Sequence, residues 1–138
     1  MGKITEKITV TNFVDEVKVK EGIISEDKVR KEEVEAIIDS GATLLCLPKN
    51  IVEKLGLTLM GEMPANTANG KVLRKIYSVA TLTIRDRSAE FDVMELPDDT
   101  PALVGQLPLE RLDFQLDLKN QRLIPNPEHP DKLVLDLY

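Results

Sequence analysis

One short stretch of the sequence combines residue types that could hydrolyse a peptide bond without a metal. It reads Asp39-Ser40-Gly41-Ala42-Thr43 and follows an apolar segment. Such hydrolysis needs a base to activate water and an acid to polarise the carbonyl, and two carboxylates that share one proton provide both. Asp39 is therefore the candidate catalytic residue. The next four residues, Ser40, Gly41, Ala42 and Thr43, are expected to form the supporting loop, although an Asp-Ser-Gly turn between two strands is also common.

The chain supplies one such loop. No other aspartate in the sequence is followed by Ser-Gly or Thr-Gly, so the second carboxylate has to come from a second chain. A twofold axis would place Asp39 against Asp39 of the partner subunit. We therefore expect a homodimer, to which the apolar N-terminal strand or the Leu133–Leu137 segment could contribute contacts.

The elements that must position this loop are mainly short strands. Alternation of apolar and polar residues predicts strands at Ile8 and Val10, at Val17 and Val19, and over Val34–Ile38, which leads directly into the loop. Further strands are predicted over Leu44–Leu47, Val79–Ile84, Glu90–Leu96, Phe114–Leu118 and Arg122–Ile124.

Two other local signals indicate a helix and a hairpin. Pro48–Leu55 has apolar residues at helical spacing between a proline and a glycine that suit its two ends. Asn69-Gly70 is typical of a type I′ turn and would join strands over Met63–Ala68 and Lys71–Ile76. With so many short strands, the sequence indicates an all-β barrel or sandwich with one or two short helices.

With its elements in this order, the sequence resembles the retropepsin family, the retroviral and retroviral-like aspartic proteases. The resemblance rests on the loop at 39–42 and on a late apolar–apolar–Gly element, Leu103-Val104-Gly105, which precedes a predicted helix at Pro108–Leu112. It extends over roughly residues 30–125. The segments Glu53–Leu57 and Leu123–Pro125 also look like those of bacterial and archaeal retropepsin-like proteins.

The resemblance implies a closed or partly open β-barrel with a flap hairpin that closes over substrate. Ala68, Asn69 and Gly70 would form the substrate-binding tip of the flap, and the element at 103–105 would pack beside the catalytic loop. It also implies a homodimer that acts on a peptide or protein. We expect a protease domain over 1–125 and a Pro-rich tail over 126–138 that contacts the partner.

Composition narrows the function further. The net charge of −6 argues against nucleic acid as a main partner. No apolar run approaches the roughly 20 residues that cross a membrane, so no membrane association is expected. Aromatic residues make up 4% of the chain and Trp is absent, so the core should consist of Val, Ile and Leu. The single cysteine, Cys46, cannot form an intrachain disulfide, which favours the cytoplasm.

Other candidate residues indicate little chemistry. Cys46 has apolar neighbours and is interpreted as a core residue. His129 is the only histidine and is expected at the surface, which leaves neither a Ser-His-Asp triad nor a multi-His metal site. Asp98-Asp99 could bind a cation but better suits the capping of a turn. We expect no metal and no cofactor.

The predicted function is an aspartic endopeptidase that cleaves extended, mainly apolar segments at acid to mildly acid pH, with Asp39 of each subunit sharing one proton. The alternative is a catalytically silent dimer of the same fold that binds a peptide or mediates assembly. A third reading, a small β domain unrelated to proteases, would be favoured by a monomeric state.

Overall fold

The computed structural model describes residues 3–137. None of the helices in this part of the chain is long and apolar enough to cross a membrane. The elements, in chain order, are β1 (Thr5–Asn12), α1 (Phe13–Lys20), a 3₁₀ turn (Glu26–Lys28), β2 (Lys31–Ile38), β3 (Leu45–Pro48), α2 (Lys49–Leu55), β4 (Thr58–Thr67), β5 (Gly70–Ile84), β6 (Arg87–Leu96), β7 (Ala102–Val104), α3 (Gln106–Arg111), β8 (Phe114–Asp117) and β9 (Arg122–Pro125).

Six of the strands form a closed barrel in the order β1-β2-β7-β3-β6-β5, which the pairing of β1 with β5 completes. The barrel is mixed, because β7 runs parallel to β2 and β3 runs parallel to β6, while the other neighbours are antiparallel. Among the described residues, the strand β4 pairs with β5 alone and extends outside the barrel. The predicted all-β barrel is therefore confirmed. The strand β1 pairs with β2 over 5–11 and with β5 over 9–12.

Aliphatic side chains fill the barrel, as the scarcity of aromatic residues predicts. Every second residue of a strand points inward, because successive side chains lie on opposite faces. Phe114 is the aromatic member of the buried cluster, and Tyr77 and Phe91 pack against its margin. The largest fully buried side chains are Ile8, Leu45, Leu47, Leu55, Leu82, Ile84, Leu112, Leu123, Val10, Val52, Val93 and Val104.

The local patterns gave most elements correctly. The strands at Ile8 and Val10, over Val34–Ile38 and over Glu90–Leu96 are present with small shifts of their ends. The helix α2 ends at Gly56, which adopts a positive φ of 63°. Pro48 lies at its N-cap and offers no side-chain cap; instead, Asp98 accepts a hydrogen bond of 2.8 Å from the backbone N–H of Asn50. Asp98 therefore caps the start of this helix, whereas 98–99 was predicted to cap a turn.

Other predictions are wrong. The strand predicted at Val17 and Val19 is the helix α1, because Asn12 caps it by accepting the backbone N–H of Asp15. Acidic residues in its first turn and lysines in its last turn also suit a helix. The two strands predicted on either side of 77–78 are one long strand, β5. The chain has more helix than predicted, and α3 begins at Gln106, before the predicted 108–112.

A buried arginine ties the end of α3 and the segment after β9 to the barrel. Arg87 is 3% exposed, and its guanidinium donates hydrogen bonds to the backbone carbonyls of Leu112 (3.0 Å), Asp113 (2.9 Å) and His129. It also stacks over the ring of Phe114, 5.2 Å from the centroid. Three carbonyls at one end of the barrel therefore depend on a single side chain.

The carboxylate of Asp113 holds the same segment from the other side. It accepts a hydrogen bond of 2.9 Å from Asn126 Nδ2 and lies 2.6 Å from His129 Nδ1. The hydrogen bond from Asn126, followed by that from His129, lowers the pKa of Asp113 below its usual value. His129 is half-buried rather than a free surface residue, which corrects its predicted placement. Leu133–Leu137 follows this segment and forms no strand.

We predict that Arg87→Ala lowers the free energy of unfolding by about 3 kcal/mol, because three carbonyls lose their donor. Urea denaturation at neutral pH measures the loss. Arg122→Ala is the matched control, since Arg122 pairs with Asp117 at the surface, and it should cost less than about 1 kcal/mol. Equal losses in the two variants would contradict this role for Arg87.

We also predict a pH-dependent contribution from Asp113. Its folded-state pKa is lowered, so the stabilisation is fully present above the unfolded pKa of about 3.9 and is lost as the pH falls through the folded value. The difference in unfolding free energy between wild type and Asp113→Asn should therefore shrink below about pH 4. Urea titrations from pH 6 to 3 measure it, with the exposed Asp136→Asn as control. A pH-independent difference would contradict the prediction.

Candidate functional site

The Asp39 loop lies where three strands meet. The strand β2 ends just before Asp39, and β3 begins at Leu45. Between them lies β7, which is parallel to β2 and antiparallel to β3. The backbone N–H of Asp39 donates a hydrogen bond of 2.9 Å to the carbonyl of Val104 in β7. The position of Asp39 is therefore fixed by backbone pairing with a strand from much later in the chain.

Backbone donors also orient the carboxylate. The N–H of Gly41 donates to Asp39 Oδ1 at 2.9 Å, and the N–H of Ala42 donates to the Asp39 carbonyl at 3.0 Å. The loop is thus a tight turn around its own carboxylate, as the sequence pattern implied. Asp39 is half-buried, whereas Ser40, Gly41 and Thr43 are exposed. Ser40 therefore lies at the surface, directly after Asp39 in the chain.

The apolar–apolar–Gly element packs directly against this loop. The backbone N–H groups of Gly105, Gln106 and Leu107 donate to the carbonyls of Leu44 (3.0 Å), Ala42 (2.8 Å) and Thr43 (3.1 Å). A Cβ on Gly105 would lie 2.5 Å from the Leu44 carbonyl oxygen and 2.7 Å from that of Ala42. No side chain fits there, so glycine is required for the loop and the start of α3 to approach each other.

A strip of apolar side chains crosses the sheet beside Asp39. Cross-strand pairing aligns five of them, one each from β2, β7, β3, β6 and β5, in a row that we call the apolar row: Ile37, Leu103, Cys46, Met94 and Ile76. The chain neighbours of Ile37, Leu103 and Cys46 lie in the barrel core, so these three residues, and the two aligned with them across the sheet, lie on the opposite face. Asp39 follows Ile37 by two residues and belongs to the same side. The row therefore forms an apolar floor next to the carboxylate.

The sequence reasoning did not identify this floor. Alternation along β2 places Ile37 on the same side as Asp39, so the sequence alone could have identified this member of the row. The other members are brought together by the strand order, which local patterns do not reveal. Cys46 is buried, as predicted, but on this second face rather than in the main cluster. Burial, and secondarily the negative charge of Asp39, raises the pKa of its thiol to about 11, so the thiol is protonated at neutral pH.

The hairpin predicted as a flap is formed by β4 and the first half of β5. Its turn residues are Ala68 and Asn69, and neither has a positive φ, so the predicted type I′ turn at Asn69-Gly70 is wrong. The positive φ falls on Gly70 instead. Thr67 Oγ1 stabilises the turn by accepting the N–H of Asn69 (3.2 Å) and donating to the Gly70 carbonyl (2.7 Å). Within residues 3–137, no hydrogen bond joins this tip to the Asp39 loop.

The hairpin exposes an unusual amount of apolar surface. Met60 and Leu73 are each 64% exposed, and Leu59 and Met63 are about half exposed. A charged solvent-facing hairpin would not carry these side chains, so they favour a surface that binds an apolar ligand or a partner. The described residues contain no group of three or more His, Cys, Asp or Glu that could hold a metal ion.

Comparison with known proteins decides the family. The model of the gag-polyprotein putative aspartyl protease family matches residues 26–111, which is more than half of the chain. The matched segment includes the Asp39 loop, the β4–β5 hairpin and the Leu103–Gly105 element. The chain belongs to this retropepsin-like aspartic protease family.

A solved structure of a known protease has a fold similar to that of this chain. EIAV protease, in a complex with the inhibitor HBY-793, aligns with a TM-score of 0.58 over 79% of this chain and 86% of that chain. The sequences are only 12% identical, so this likeness establishes the fold alone. No curated protein sequence matches the chain.

We predict that Gly105→Ala lowers the free energy of unfolding by at least about 2 kcal/mol, since backbone atoms must move to admit the methyl group. Gly41→Ala is the comparison, because a Cβ there would meet only Asp39 Oδ1, at 3.1 Å, and the carboxylate can turn away. Urea denaturation of both variants provides the test. A smaller loss for Gly105→Ala than for Gly41→Ala would show that the close approach is not needed.

Proposed function

We propose that this chain is an aspartic endopeptidase that acts as a homodimer, with Asp39 of each subunit forming the catalytic pair. The observation that carries the proposal is the Asp39 loop itself: in a member of an aspartyl protease family, the carboxylate is oriented by the Gly41 N–H and anchored to β7. The chain has one such loop, so a pair of carboxylates requires two chains.

The exposure of the loop supports a composite site. Ser40, Gly41 and Thr43 are exposed, which leaves them accessible to the equivalent loop of a second copy. We propose that the Ser40 hydroxyl bonds across the interface and holds the two carboxylates at hydrogen-bond distance. Two carboxylates that close cannot both ionise easily, so they would share one proton.

The chemistry follows from that shared proton. The ionised Asp39 takes a proton from a bound water, which attacks the carbonyl carbon of the scissile peptide. The protonated Asp39 of the partner subunit gives its proton to the carbonyl oxygen, and a tetrahedral diol forms. Collapse of the diol breaks the C–N bond as a carboxyl group protonates the leaving nitrogen and the other removes a hydroxyl proton. The site ends with one proton, as it began.

The surroundings suit an extended, mainly apolar substrate. The apolar row would contact substrate side chains next to the scissile bond. The flap tip, Ala68, Asn69 and Gly70, would close over the peptide and exclude water. Leu103–Gly105 would support the loop from behind. The N–H of Gly105 donates to the carbonyl of Leu44, and the next two residues of the chain donate to the carbonyls of Ala42 and Thr43.

The rest of the domain assignment is also a proposal. Residues 1–125 would form the protease domain, and 126–138 would be a tail that contacts the partner. Exposed apolar residues in that tail, Leu135 at 66% and Leu137 at 97%, would gain cover at a dimer interface. We also propose a cytoplasmic location, because the single thiol is typical of a reducing compartment.

We predict that Asp39→Asn abolishes cleavage of a diverse peptide library assayed from pH 3.5 to 7.5, with a loss of at least about 10³-fold relative to wild type. Asp99→Asn, which changes an exposed carboxylate away from the loop, is the matched control and should retain activity. Full activity of Asp39→Asn would contradict the proposal. If the wild type is a well-folded dimer and cleaves nothing, the peptide-binding alternative is favoured.

Mixing experiments test whether the site is shared. Wild type and Asp39→Asn are combined 1:1 at constant total protein and allowed to exchange subunits. A composite site predicts about a quarter of the wild-type activity, because random pairing makes one dimer in four fully wild type. Protomers that act alone would retain about half, and that result would contradict the shared pair.

A further inference from the structure

The flap carries one charged side chain on the face that continues the apolar row. Pairing of β4 with β5 aligns Gly61 with Ile76, Met63 with Arg74, and Ala65 with Val72. These residues share a face with Ile76, which belongs to the apolar row. Every member of this flap face is small or apolar except Arg74.

The opposite face of the flap is mixed, with Pro64 across from the exposed Leu73 at its centre and charged residues on either side. Glu62 lies directly across from Lys75, and Lys71 lies across from Asn66. On the inner face, by contrast, the cross-strand neighbour of Arg74 is Met63. A guanidinium pairs well with a carboxylate through two hydrogen bonds, and no acidic side chain lies opposite Arg74 to form this pair.

Within residues 3–137, no carboxylate lies within ion-pair distance of Arg74. Arg30, Arg85 and Arg122 each form such a pair. Arg74 is half-buried, so its guanidinium is less screened by water than a fully exposed one. Glu62 and Glu95 line the same surface depression as Arg74 without reaching ion-pair distance, so the guanidinium is free to pair with a ligand between the flap and the apolar row.

We infer that Arg74 selects substrates that carry an acidic side chain a few residues from an apolar cleavage site. The inference rests on the proposed function, since it places the peptide between the flap and the apolar row. Each subunit of the proposed dimer contributes one Arg74, so an extended peptide would meet one guanidinium on either side of the scissile bond. The chain as a whole carries a charge of −6 and repels acidic peptides at long range, so this preference depends on one local contact.

The test uses peptide pairs that share an apolar centre and differ by Glu or Gln at a single position, scanned outward on both sides. At pH 6, wild type should cleave the Glu peptide with a kcat/KM about five- to tenfold higher at one position on each side. Arg74→Gln should reduce this ratio to about one, and Arg74→Glu should prefer a Lys peptide instead. Lys75→Gln, on the outer face, should keep the wild-type ratio.

The ratio should also fall toward one below about pH 4, where the substrate Glu becomes protonated. A ratio near one at every position in wild type, or an unchanged ratio in Arg74→Gln, would overturn the inference. If no peptide is cleaved, the proposed function fails separately, and binding of fluorescent peptides to Asp39→Asn, measured by anisotropy, decides the role of Arg74. A Glu preference in binding that Arg74→Gln removes would support it, and its absence would overturn it.

Discussion

Backbone hydrogen bonds between the Asp39 loop and the end of β7 are the contacts on which the rest of the site depends. Consecutive N–H groups of Gly105, Gln106 and Leu107 reach three carbonyls of the loop, and only glycine allows the approach. Backbone N–H and C=O groups form strong hydrogen bonds and must be paired when they are buried. These three hydrogen bonds therefore restrict the conformation of the loop. The position of the Asp39 side chain is therefore set by main-chain hydrogen bonds rather than by contacts with neighbouring side chains.

The same sheet serves two purposes through its two faces. One face closes around the aliphatic core, and the other presents the apolar row beside Asp39. Because alternation couples the two faces, the register that places Leu45 and Val93 in the core also places Cys46 and Met94 on the opposite face of the sheet. One pairing pattern thus sets both the stability of the barrel and the shape of the floor. A change of register at these positions would therefore alter both.

Local chemistry predicted what is locally determined. The Asp39 loop, α2 with its Gly56 cap and the existence of the β4–β5 hairpin all follow from a few adjacent residues. The helix α1 was missed because Val17 and Val19, two residues apart, fit an alternating strand, while the deciding signal was the cap at Asn12. The binding partners of Arg87, the apolar row and the isolation of Arg74 depend on strand order and on contacts between distant segments. No single stretch of sequence encodes them.

The closure of the barrel has a consequence for how the protein is made. β1 pairs with β5 as well as with β2. The hydrogen bonds that hold the Asp39 loop come from residues 104–107, much later in the chain. Contacts between such distant parts of a chain form late and slow folding. During synthesis, the amino-terminal half therefore leaves the ribosome with an unclosed sheet and an unsupported loop. The Asp39 carboxylate therefore lacks its backbone support in the nascent chain until residues 104–107 have been made.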